Sequence, residues 1–96
     1  MNRLHLRGVL VQLDPLRYSP AGVPIAEAVI QHRSTQNVAG QARQVECELT
    51  VQASGALAAQ LSSLAPGSAV ELEGVINRRS VSSRQLILLV NRIEKE

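Results

Sequence analysis

Two histidines (His5 and His32), two carboxylate pairs (Glu46 with Glu48, Glu71 with Glu73) and one thiol (Cys47) are the side chains with the types for bond chemistry. They do not form a converging set. Neither histidine has an acidic or cysteine neighbour at metal-ligand spacing. Each carboxylate pair stands at i, i+2, which puts both groups on one side of a strand. Such a pair could exchange protons with a substrate, but on an outer strand face it is a solvated pair. Cys47 falls in the inward-facing set of an alternating segment, so it is expected to be an inert core residue. A lone cysteine also excludes an internal disulfide and a cysteine metal cluster. No glycine-rich phosphate loop is present. The expectation is a protein that is not an enzyme and holds no metal or cofactor.

Binding chemistry is better represented. The net charge is only +2, yet nine of the ten basic side chains are arginine, with Lys95 the exception. Arginine offers a planar fork that matches phosphate and can stack on a base. A GC-rich genome also enriches arginine, so placement has to decide. Arg17 lies in the turn "DPLRYSPAGVP", Arg33 and Arg43 flank "TQNVAGQA", and Arg78, Arg79 and Arg84 lie in "NRRSVSSRQ". A single nucleic-acid strand is held by a basic groove together with stacking platforms worth ~1–3 kcal/mol per base. The only ring available is Tyr18, since the chain has no Phe and no Trp. These seven residues are the candidate nucleic-acid contacts.

The elements that must position them follow from periodicity. "RLHLRGVLVQL" alternates, with Leu4, Leu6 and Leu10 on one face, and predicts a strand with a bulge or bend at Gly8. In the turn that follows, Pro15, Pro20 and Pro24 stiffen the chain and Gly22 permits the tight bend. "VPIAEAVIQHRS" is a second strand. "TQNVAGQA" reads as a long hairpin loop. "RQVECELTVQA" is a third strand with Val45, Cys47, Leu49, Val51 and Ala53 inward. "SGALAAQLSSLAPG" changes to helical spacing through Leu57, Leu61 and Leu64, with Ser54 as N-cap and Pro66–Gly67 as the stop. "AVELEGVI" and "LILLVNRIE" are the last two strands, the latter more buried. No apolar run approaches a membrane span, and "MNRLHLRGVL" lacks the pattern of a signal peptide. The expected product is one all-β domain over residues 1–96 in the cytoplasm, a five-stranded OB-fold barrel with a short helix between strands three and four. In that fold the second and third strands and two loops bind oligonucleotides or oligosaccharides. With almost no rings, a sugar site is a poor fit. A core without rings also predicts modest stability or help from a partner subunit.

"NRLHLRGVL", "PLRYSPAGVP", "QHRSTQNVAGQARQVECEL" and "VELEGVI" together resemble primosomal replication protein N, the PriB family, over about residues 2–94. "RYSPAG" is also similar to the first turn of bacterial single-stranded DNA-binding proteins, whose long acidic-tipped tail has no counterpart before Glu96. The resemblance implies a homodimer built on the first strand that binds single-stranded DNA during replication restart. It also implies contact with the primosomal helicase and, in some bacteria, a helicase-loading protein. Better-known members carry aromatic residues where this chain has Gln41 and Glu46. That departure predicts weak, charge-dominated binding or a path displaced toward the arginine-rich loops. The alternative is a protein–protein adaptor of the primosome with incidental DNA contact.

Overall fold

Period-two apolar patterning builds five long strands, which close on themselves in the computed structural model of residues 1–96. The elements are β1 (Leu4–Leu13), β2 (Arg17–Tyr18), β3 (Pro24–Val38), β4 (Gln41–Ser54), α1 (Ala56–Ser62), β5 (Ala69–Arg78) and β6 (Leu86–Lys95). The sheet order is β1-β5-β6-β4-β3-β2, and an additional β1–β3 pairing closes the barrel. β4 and β6 pair in parallel at Val51 and Gln52, and every other pairing is antiparallel. The OB-type barrel with one short helix is thus as expected, with the two-residue β2 as an addition inside the first turn.

Inward parity on β3 and β4 brings Ala26, Ala28, Ile30, Val51 and Ala53 into the core, where they meet Leu10, Val70 and Leu72. The small alanines leave room for α1, which buries Ala58 and Leu61. Because inward residues alternate, the opposite parity fixes the outer face. Glu27, Val29, Gln31 and Arg33 of β3 stand there opposite Gln52, Thr50, Glu48 and Glu46 of β4.

Four local expectations are corrected. The segment "TQNVAGQA" is not a long loop. β3 and β4 stay paired out to Val38 and Gln41, and the turn is Ala39–Gly40 with φ of 54° and 83°. Both residues are in the left-handed region, as a two-residue hairpin turn requires. The hairpin leaves the barrel because β1 pairs with β3 only up to Gln31 and β6 touches β4 only near Val51. Cys47, opposite His32 on this projecting arm, is therefore exposed, since inward parity continues past the point where the core ends. Ser54 does not cap the helix. It is still paired with Ile25 at the end of β4, and Gly55, with φ 66°, makes the corner with no side-chain cap. Finally, the register shift in β1 lies between Leu10 and Gln12, while Gly8 sits in regular pairing with Val70.

Candidate nucleic-acid interface

The first turn is held by Ser19, whose N–H donates to the Val23 carbonyl at 2.9 Å while its carbonyl accepts from Gly22 at 2.8 Å. Gly22 adopts φ 82°, a conformation that side chains resist. The turn returns as β2, where Arg17 pairs with Ile25 and Tyr18 with Pro24. Tyr18 stays 65% exposed on this rim.

Arg17 is directed over the outer face of β3. Its Nη2 donates to Glu27 Oε2 at 2.7 Å. From the loop between β5 and β6, Arg79 Nη1 donates to both Glu27 oxygens at 2.9 and 3.2 Å. Gln52, the cross-strand neighbour, supplies another N–H at 3.2 Å. Glu27 has outward parity but is only 8% exposed, because the two arginines cover it. Burial pushes its carboxyl upward, yet the hydrogen bonds from Gln52 and Arg79 and the charges of Arg79 and Arg17 outweigh burial. The carboxyl is held below its ordinary value. Sequence reasoning did not single out Glu27. The signal was there: one acid embedded in the apolar run "PIAEAVI".

The other predicted contacts are distributed differently. Arg33 donates to Glu46 at 3.1 Å across the hairpin, with both side chains largely in solvent. Arg43 is exposed on the arm opposite Gln36. Arg79 also closes the last loop, its N–H bonding the Gln85 carbonyl at 2.9 Å and its Nε the Gln85 side chain at 3.0 Å. Arg78 Nη1 reaches the Val81 carbonyl at 3.1 Å, and Arg84 is exposed. Arg43, Arg78 and Arg84 take part in no ion pair. The structure therefore brings Arg17 and Arg79 together on one carboxylate, sets Arg33 beside another, and leaves three arginines with no carboxylate. Gln41 stands at the hairpin tip and Glu46 on the outer face, with Glu48 two residues along.

The histidines occupy an open groove of about 700 Å³ between β1 and β3. His5 bonds Glu71. His32 Nδ1 donates to the Arg7 carbonyl at 2.6 Å, and Nε2 is hydrogen-bonded with the Ser34 hydroxyl at 2.7 Å. No three His, Cys, Asp or Glu side chains converge anywhere. No helix is long and apolar enough to cross a membrane.

Residues 2–92 match the model of a family described as another single-strand binding protein family. The chain is 38% identical over 96 residues to replication restart protein PriB of Proteus mirabilis, covering 97% of this chain and 91% of that protein. It is 36% identical over 89 residues to replication restart protein PriB of Nitrosomonas europaea, covering 93% of this chain and 82% of that one. The solved structure of the PriB protein from Ralstonia solanacearum superposes with a TM-score of 0.93 at 31% identity, over 100% of this chain and 98% of that chain.

Proposed function

We propose that this chain, which belongs to the PriB group of the single-strand binding protein family, binds single-stranded DNA as a non-enzymatic accessory factor of replication restart. The observation that carries this reading is the meeting of Arg17 and Arg79, from two different loops, on the outer face of β3. Oligonucleotides lie on the corresponding face of OB folds. Arg33, Arg43, Arg78 and Arg84 extend the positive rim along the hairpin and the last loop, and Tyr18 is the one ring placed to stack. With Gln41 and Glu46 in place of rings, attraction to phosphate supplies most of the affinity, so binding weakens steeply as salt is raised.

The working unit is a homodimer. β3 parts from β1 beyond Val9 and Gln31, which leaves the Leu4–Gly8 half of β1 without a strand partner on that side. This open edge, where a second copy could pair or pack, supports the dimer reading, and sedimentation that finds a monomer at micromolar concentration removes it. Such a dimer bridges DNA to the primosomal helicase and, in some bacteria, to a helicase-loading protein.

One observation favours the adaptor reading, in which DNA contact is incidental. Glu46 and Glu48 put two carboxylates on the face that would carry the strand. Fluorescence anisotropy with single- and double-stranded oligonucleotides across a salt series decides. Preference for single strands with a steep salt dependence supports the first reading. Absence of binding at low salt, with helicase binding intact, leaves the adaptor.

A further inference from the structure

Two ion pairs on the outer face have the same chemistry and opposite layering. Arg33 and Glu46 lie side by side, with side chains 72% and 58% exposed. A phosphate arriving at Arg33 therefore meets the carboxylate as readily as the guanidinium. At Glu27 the acid is the lower layer: its side chain is 9% exposed, while Arg17 above it is 57% exposed and Arg79 36%. The Glu27 oxygens already accept from Arg17, Gln52 and Arg79. The guanidiniums are less committed. Each has five N–H donors, of which Arg17 bonds only through Nη2 and Arg79 through Nη1 and Nε. One carboxylate beneath two cations leaves a net positive charge at the surface.

We infer that Glu27 is a positioning residue that holds Arg17 and Arg79 together as a two-guanidinium cradle for one backbone phosphate of a single strand. The inference rests on the single-strand-binding reading. Unsupported, the two arginines would repel each other, and they stand on segments far apart in the sequence, β2 and the last loop. Bonded to one buried carboxylate, they keep their remaining donors directed outward at a fixed spacing. Less ordering is then left to the moment of binding. Glu46 has no such effect, since it competes with the phosphate that Arg33 would hold.

The test uses two substitutions that change net charge by the same amount. Binding of a labelled oligothymidylate is measured by anisotropy against salt for the full chain, Glu27→Gln and Glu46→Gln, with thermal melts to confirm folding. Glu46→Gln is expected to bind more tightly. Glu27→Gln is expected to bind more weakly by about tenfold, the loss of one charge-assisted contact. Its log K against log salt should flatten by about 0.7. In an Arg17→Ala/Arg79→Ala background Glu27→Gln should have no further effect. Tighter binding by Glu27→Gln, in step with Glu46→Gln, overturns the cradle and makes Glu27 a mask. A loss that persists in the double-alanine background overturns it as well. If Glu27→Gln does not fold, Arg17→Lys and Arg79→Lys keep the charge without the fork. Both should weaken binding, and wild-type affinity in both refutes the cradle. If the unaltered chain binds no oligonucleotide at any salt, the functional reading itself has failed.

Discussion

Gly74 of β5 lies so close to Leu89 of β6 that a Cβ on it would fall 2.1 Å from the Leu89 carbonyl oxygen. The contact coincides with the register shift between Glu73 and Gly74, where the two strands bend around the core. A side chain here cannot be accommodated by a rotamer change, because the obstacle is backbone. Gly74→Ala is therefore expected to destabilise the barrel by about 3 kcal/mol, the upper part of the range for overpacking. Urea unfolding checks this, and an unchanged midpoint would mean that the seam is looser than the contact implies.

The exposed thiol gives the second expectation. Cys47 faces solvent on the projecting hairpin, so an aromatic disulfide reagent should modify it in the folded state at a rate close to that of the unfolded chain. Burial in the core would give slow modification limited by unfolding. Fast modification of dilute protein with protection at high concentration would place a second copy over the arm.

Strand patterning was legible wherever a strand meets the core, because burial on one side is what imposes the period of two. It ceased to be informative at Thr35–Val38, where the hairpin has solvent on both sides and polar residues fill both parities. The same ending of the core explains Cys47, whose parity is inward but whose side chain is exposed. Ser54 carried the residue type of a cap, yet its strand pairing with Ile25 holds it away from the helix. Six of the seven candidate contacts were chosen by charge and loop position, and Tyr18 as the only ring. Their organisation was not legible, because Glu27 and Arg79 are 52 residues apart and only barrel closure brings them together.

Acid stability should report on Glu27. Its carboxyl is held below the ordinary value in the folded state. A lowered folded pKa contributes stability that is fully present above the unfolded value and is lost as pH falls through the folded one. At neutral pH, Glu27→Gln should be less stable than the unaltered chain by about 1–2 kcal/mol, a modest figure because both arginines remain partly in water. The gap should hold down to about pH 5 and close below it as Glu27 takes up a proton. Glu71 is also lowered, first by its hydrogen bond with His5, but it is common to both proteins and cancels in the difference. A gap that stays constant from neutral pH to pH 3 would show that the ion pairs contribute nothing to it.

The last loop separates binding from folding within a few residues. Arg79 is tied to Glu27 and Gln85, so replacing it perturbs the loop as well as the charge. Arg78 and Arg84 are exposed and bonded to no carboxylate, and the one hydrogen bond of the Arg78 side chain is to the Val81 carbonyl. Arg78→Ala/Arg84→Ala should therefore leave the unfolding midpoint unchanged. If both side chains meet phosphate, each releases condensed counterion on binding, with a slope near 0.7 per contact on single strands. The double variant should then flatten log K against log salt by about one to two units and weaken binding to every sequence alike. Arg79→Ala should instead lower stability together with affinity, because its fork anchors the loop to the barrel. Parallel salt lines for the Arg78/Arg84 variant and the unaltered chain would place the phosphate path away from these two side chains. Arg17 and Arg79, with the hairpin arginines Arg33 and Arg43, would then have to carry it.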